Sequence, residues 1–278
     1  MSGPATAEFA DRLVEGYDGV LLDAYGVLLD KSGAMPGAAR FLSSLTAAGR
    51  PWLVLTNSAS RLPETFAAEL AESGLPVPAD RIQTSGMLLA DWFAEQGLRG
   101  ARALVLGPDD SAEYVRRAGG RVIEVNARAD AEVLVIADQK GFDCLDAMDH
   151  ALSMVLRRLD AGRPLRILLC NPDLIYPVAP GRYGFTAGGL AAMLEAVIRE
   201  RYPDLANPVV PLGKPHAPLF EAARRRLRAE GLDALLIWAL AENELACRCY
   251  EALGGRPRVR ASETLGGRRL EKIGYHGP

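Results

Sequence analysis

Asp23 closes an apolar run, Gly19 to Leu22, and Gly26 follows three residues later. A carboxylate carried to the end of a buried parallel strand stands where open α/β sheets bind ligands. A glycine just beyond it lets backbone come close to that ligand, and successive N–H groups in such a turn can cradle a phosphate. A second apolar run, Leu53-Val54-Leu55, ends in Thr56-Asn57-Ser58. These short polar side chains, with the N–H groups of a helix starting near Ser60–Pro63, can hold phosphate oxygens. A third segment, Pro211-Leu212-Gly213-Lys214-Pro215-His216, fixes one lysine between Gly and Pro. A fixed ammonium can neutralise both a carboxylate nucleophile and an incoming phosphate. Each segment also has a plainer reading: Asp23 as a helix cap or ion-pair partner, Thr56 to Ser58 as a capping cluster, and Gly-Lys-Pro as an ordinary turn.

The elements that must position these residues alternate between apolar runs and amphipathic stretches, the pattern of an α/β protein with a parallel sheet. Strands are expected at Gly19–Asp23, Pro51–Thr56, Ala103–Leu106, Val133–Ala137, Leu165–Cys170, Val209–Pro211 and Ala234–Leu240. Helices are expected at Gly37–Ala48, Leu62–Ser73, Ser85–Gln96, Ser111–Ala118, Cys144–Ala161, Thr186–Arg201 and Pro218–Glu230. The stretch from Thr84 to Asn207 carries its own strands and helices, enough for an inserted α/β domain. The expected division is therefore a discontinuous core, 1–83 and 208–278, around an insert, 84–207; one large continuous sheet is the alternative.

The chain has 278 residues, 49% of them hydrophobic, with 32 basic and 35 acidic side chains. That balance gives no support to a nucleic-acid or membrane partner. No apolar run approaches membrane-spanning length, and Met1 to Thr6 lacks the basic-then-apolar pattern of a secretory leader. The four cysteines, Cys144, Cys170, Cys247 and Cys249, form no disulfide framework, which points to a reduced, cytoplasmic setting. No Gly-x-Gly-x-x-Gly follows the first strand, which argues against a dinucleotide-binding oxidoreductase.

Taken together, Asp23-Ala24-Tyr25-Gly26, Thr56-Asn57 and Gly213-Lys214-Pro215 resemble, in order, motifs I to III of the haloacid dehalogenase (HAD) phosphatases. Asn171-Pro172-Asp173, then Gly184-Phe185-Thr186-Ala187-Gly188-Gly189, is similar to the NagD-like branch (class IIA), as are Asp30 and Pro36-Gly37-Ala38. The likeness runs over roughly residues 17 to 220. It implies a Rossmann-like core with a class IIA α/β cap, and hydrolysis of a small phosphorylated metabolite through an aspartyl-phosphate on Asp23. It further implies Gly26, Thr56, Asn57 and Lys214 around the phosphoryl group, aided by N–H groups from Tyr25 to Val27. Mg²⁺ would sit on the Asp23 carboxylate and the Tyr25 main-chain carbonyl. Cap residues Asn171 and Asp173, with Asp138, Tyr176 and Arg182, are the implied substrate contacts. Because class IIA caps often contribute to dimer contacts, a homodimer is one assembly the resemblance allows.

Two departures stand out. The family's second motif I aspartate, its general acid/base, is Tyr25 here; this phenol, with an unperturbed pKa of about 10, can still donate a proton and is the candidate catalytic residue at that position, but it is a poor base at neutral pH. The acids of motif IV are also missing after Leu240, where the chain reads Ala241-Glu242-Asn243-Glu244. Glu242 is the candidate replacement ligand, against a plainer reading as the start of a solvated helix. Beyond Ala246 the chain is Arg-rich with little apolar periodicity. The alternative function is thus a weak or inactive HAD fold that binds a phosphorylated ligand or a protein.

Overall fold

The structure, a computed structural model, describes residues 17–30, 32–179, 181–232, 236–240, 251, 255–265 and 268–276. The expectations for Met1 to Thr6, Glu242, Glu244, Cys247 and Cys249 lie outside these residues.

Strand β1 (Val20–Asp23) leads through a tight turn into the short ribbon β2 (Leu29–Asp30) and β3 (Gly33–Ala34), then α1 (Ala38–Ala47), β4 (Trp52–Thr56), α2 (Pro63–Glu72) and β5 (Ile82–Thr84). β1, β4 and β5 form a parallel sheet in the order β1-β4-β5. β4 is central and buried along its whole length. An unbroken Trp-Leu-Val-Leu run suits a parallel strand covered on both faces. A 3-10 turn at Ser85–Met87 then opens α3 (Leu88–Glu95), so the regular helix starts three residues later than the expected Ser85, with the Thr84 hydroxyl capping Met87 N–H.

Next come β6 (Arg102–Leu106), α4 (Asp109–Arg117), β7 (Arg121–Ile123), β8 (Val133–Ile136), α5 (Cys144–Asp160), β9 (Arg166–Leu169), β10 (Ile175–Ala179), β11 (Arg182–Phe185), α6 (Ala187–Arg201), β12 (Val209–Pro211) and α7 (Ala217–Ala229). Five of these strands make a second parallel sheet, ordered β12-β9-β8-β6-β7. α4 begins with Asp109 and Asp110 and ends with Arg116 and Arg117, complementing the helix dipole at both ends. β10 and β11 form an antiparallel hairpin that exposes Ile175, Tyr183 and Phe185.

One apolar cluster joins the two sheets: Leu53 and Leu55 of β4, Leu89 and Phe93 of α3, Phe220 and Leu227 of α7, and Val105, Val135 and Leu168 of the second sheet. Separate clusters cover the outer faces, under α1 and α2 on one side and α5 and α6 on the other. Strand β12 lies beyond residue 207, yet pairs with β9, so the stretch just before Lys214 is built into the second sheet.

The chain end differs from expectation. β13 (Leu236–Leu240) does not extend the parallel sheet as a last core strand. It pairs antiparallel with β15 (Arg268–His276), which also pairs with β14 (Arg256–Leu265), giving the order β13-β15-β14. Ile273 and Tyr275 are buried here. Gly274 between them is buried as well, so the strand is covered along this stretch. No described element adds a further strand to the edge of β1.

Candidate active site

Asp23 ends β1 and Thr56 ends β4, and the parallel register sets Asp23 opposite Leu55. Asp23 Oδ1 accepts the Ala24 N–H at 2.8 Å and meets Lys214 Nζ at 2.8 Å. The same ammonium donates to the Leu55 carbonyl at 3.0 Å, so Lys214 bridges the tips of two neighbouring strands.

What fixes Lys214 is Asn57. Its Oδ1 accepts the Lys214 N–H at 2.6 Å and its Nδ2 donates to the Lys214 carbonyl at 2.9 Å. A single amide thus satisfies both backbone groups of one residue 157 positions away. Nδ2 also donates to Asp173 Oδ2 at 3.3 Å. Asn57 is buried. Its side chain, which the family resemblance assigns to phosphate oxygens, is committed to Lys214 and Asp173. Thr56 is buried too, and its hydroxyl oxygen accepts the Ser58 N–H at 3.3 Å. As a hydroxyl it keeps one proton to donate.

The Asn171-Pro172-Asp173 turn closes the other side. Asn171 Oδ1 accepts the Asp173 N–H at 3.1 Å, and the Asp173 carbonyl accepts from Gly188 at 3.1 Å. Gly213 lets the two segments touch: a Cβ there would stand 2.4 Å from the Cys170 carbonyl and 2.7 Å from both Asn57 Oδ1 and Pro172 Cδ. The Asp173 carboxyl keeps a solvent-facing edge, but surrounding protein pushes its pKa above the usual range. Asp23 adds to that shift; Asn57 and Lys214 oppose it. Burial lowers the pKa of His216, whose N–H caps the turn by donating to Gly213.

Tyr25 stands apart from this group. Its ring is half exposed and stacks on Phe66, with centroids 6.3 Å apart, while Arg61 Nη1 approaches its hydroxyl at 3.4 Å. Gly26 has a left-handed φ of 82°, a conformation that favours glycine, and no atom of the chain lies within 4 Å of a Cβ placed there. Its N–H goes to the Leu29 carbonyl. Of the expected cradle, the Tyr25 and Val27 amides alone are left without an acceptor among the described residues. Asp138 lies near Arg61 and turns its carboxylate onto the Lys140 N–H at 2.9 Å. Tyr176 and Arg182 belong to the β10–β11 hairpin that follows Asp173 directly.

For a hard cation, the fitting donors are oxygens: Asp23 Oδ2 and the Tyr25 carbonyl, neither engaged by a described group. No cluster of three His, Cys, Asp or Glu side chains gathers among the described residues. Such a donor pair fits Mg²⁺, which is commonly held by one or two carboxylates and completed by water and substrate phosphate. Glu242 lies outside the described residues.

Sequence reasoning missed the anchoring of the loop after β4. α4, from the second sheet, holds it at three points: Asp110 Oδ2 accepts the Leu62 N–H at 2.8 Å, Ser111 Oγ donates to the Ala59 carbonyl at 2.7 Å, and Tyr114 Oη donates to the Arg61 carbonyl at 2.6 Å. The Tyr114 hydroxyl also meets Thr84 Oγ1 at 2.7 Å. An amphipathic helix announces its buried face but not these acceptors.

Residues 20–121 match a protein family described as haloacid dehalogenase-like hydrolase. The chain is 29% identical over 217 residues to a dihydroxyacetone phosphatase of Corynebacterium glutamicum, covering 78% of this chain and 72% of that protein. It is 28% identical to the ribonucleotide monophosphatase NagD of Escherichia coli K12, over 78% of each chain. The solved structure of NagD superposes with a TM-score of 0.60, at 26% identity, over 78% of this chain and 77% of that one. A glycerol phosphate phosphatase of Mycobacterium tuberculosis, solved with magnesium, gives 0.61 at 25% identity, over 77% and 60%.

Proposed function

From a chain that belongs to the haloacid dehalogenase superfamily, in its NagD-like branch, we propose a phosphatase that hydrolyses small phosphorylated metabolites through Asp23. One observation carries the assignment of Asp23: Lys214 Nζ lies 2.8 Å from its Oδ1, on a lysine whose backbone is clamped by Asn57. An ammonium beside the carboxylate offsets the repulsion between an anionic nucleophile and an anionic phosphate. Asp23 attacks phosphorus, the alcohol leaves, and water then cleaves the aspartyl-phosphate.

In this reading Lys214 and the Thr56 hydroxyl bind phosphoryl oxygens, joined by the Tyr25 and Val27 amides in the Gly26 turn. Asn57 acts as the positioning residue for Lys214. Asp23 and the Tyr25 carbonyl hold Mg²⁺, a role open to any side chain at position 25; the ion would supply positive charge against the phosphoryl oxygens. Magnesium in the mycobacterial neighbour supports this assignment. Residues 84–207 form the cap, placing Asn171 and Asp173 towards substrate and limiting water. The names of the relatives point to phosphorylated trioses, sugars or nucleotides as the class to test. Unpaired Cys144 and Cys170 support a reducing, cytoplasmic setting.

The test is hydrolysis of p-nitrophenyl phosphate and a panel of triose, sugar and nucleoside monophosphates with Mg²⁺, comparing the native chain with Asp23→Asn. Turnover that collapses to background in the variant is expected. Equal rates in the two proteins would remove Asp23 as the nucleophile, and Mg²⁺-independent rates would remove the ion.

A further inference from the structure

Position 25, where an acid/base carboxylate would be expected, holds a phenol engaged with Phe66 and Arg61. A carboxyl on the opposite segment, Asp173, is hydrogen-bonded to the Asn57 that holds Lys214 and lies within electrostatic reach of Asp23 and Lys214. We propose that Asp173 is the proton donor to the leaving alcohol and the base towards water, in place of residue 25. This rests on the phosphatase reading above.

Three ties fix Asp173. Its N–H is bound by Asn171 Oδ1, its carbonyl by Gly188 N–H, and its Oδ2 by Asn57 Nδ2. The turn cannot drift from the start of α6, because a Cβ on Gly188 would lie 2.4 Å from the carbonyl oxygens of both Pro172 and Asp173. One carboxyl oxygen, Oδ1, has no partner among the described residues and can carry a proton. The groups facing the carboxyl are Asn57, Lys214 and Asp23. Burial and Asp23 favour its protonated form, Asn57 and Lys214 oppose it, and the balance lies on the raised side. A raised carboxyl keeps a larger protonated fraction at a given pH, as a general acid requires.

The proton balance is complete. Asp23 attacks phosphorus, the P–O bond to the alcohol breaks, and the Asp173 proton passes to the departing oxygen. The resulting Asp173 carboxylate takes a proton from water as that water attacks the aspartyl-phosphate. The bond to Asp23 breaks, inorganic phosphate leaves, and Asp173 is again protonated.

The experiment compares Asp173→Asn with the native chain on two esters, p-nitrophenyl phosphate and glycerol phosphate. Asparagine keeps an oxygen for Asn57, so the clamp survives. A nitrophenolate leaves without a proton and an alkoxide does not. The expected result is a kcat/KM loss of about 10²–10⁴-fold on glycerol phosphate and less than about tenfold on p-nitrophenyl phosphate. Equal losses on both esters would make Asp173 a structural residue and overturn the proposal. The native chain gives a second readout should the variant fold poorly. Its kcat/KM should depend only weakly on leaving-group acidity over a series of esters, and a steep dependence would overturn the assignment. Asp23→Asn, run in parallel, separates the two claims. If it abolishes turnover while the Asp173→Asn losses are equal, only the Asp173 role falls; with no Asp23-dependent turnover, both fall.

Discussion

Gly213→Ala is the sharpest test of how this site is assembled. Gly213 does not have a left-handed φ, so alanine brings no backbone strain; what it meets is matter. Its Cβ would sit 2.4 Å from the Cys170 carbonyl oxygen and 2.7 Å from Asn57 Oδ1 and Pro172 Cδ. Real Cβ contacts essentially never fall below 3.0 Å, so residue 213 must move from Cys170 by about 0.6 Å (3.0 − 2.4). Two of the obstacles are backbone and a proline ring, which cannot rotate away. The third is the oxygen that holds the Lys214 N–H at 2.6 Å. A shift of that size takes this bond to about 3.2 Å, the outer edge of good geometry, and carries the Lys214 ammonium off Asp23. Overpacking of this kind costs about 1–3 kcal/mol, or about 2–12 °C in melting temperature for a chain of this size. Misplacing a catalytic group by 1 Å costs about 10²-fold, so kcat/KM should fall about 10- to 100-fold. Thermal melts and p-nitrophenyl phosphate hydrolysis measure the two. An alanine variant with native melting temperature and native kcat/KM would refute the claim that this contact holds Lys214 in register.

Two further outcomes follow from groups outside the site. Tyr114→Phe should lose about 1–3 kcal/mol in a denaturant titration, because the Arg61 carbonyl and the Thr84 hydroxyl both lose a buried partner; an unchanged midpoint would mean that the Tyr114 hydroxyl does not help anchor the loop. Burial opposes ionisation of Asp130, but bonds from Arg158 and Arg163 outweigh it and hold its pKa below the usual carboxylate value. Its folded pKa is depressed, so its stabilisation is present above the unfolded pKa of about 3.9 and is lost as pH falls through the folded value. Asp130→Asn should therefore destabilise at pH 7 by about 1–3 kcal/mol, since Arg158 is buried, with the difference closing in acid. A pH-independent difference would contradict the ion-pair origin.

Elements were legible where periodicity decides them. The central run Trp52–Thr56 and the helix Cys144–Asp160 fall within a residue of expectation, because a buried strand and an amphipathic helix each write their pattern locally. Asp23 and Lys214 could be placed at strand ends for the same reason. The strand at Leu236–Leu240 was legible as a strand but not in its partner, since an apolar run does not say whether a parallel edge or an antiparallel hairpin will pair with it. The use of Asn57 was hidden for a related reason. A short polar residue after a strand looks alike whether it binds a ligand or grips a backbone 157 residues away, and only the approach of Gly213 to Cys170 and Asn57 decides.

That grip also sets when the protein can first work. During synthesis Asp23 and the first two strands emerge early, while Lys214 waits for most of the chain to be made. Closing a span of 157 residues costs about 4–5 kcal/mol of chain entropy, which two short hydrogen bonds cannot offset unless the intervening sheet has already brought the ends together. Phosphate capture should therefore appear last during folding and vanish first on partial unfolding. A truncated or nascent chain that stops before Lys214 would carry Asp23 without the ammonium that neutralises it.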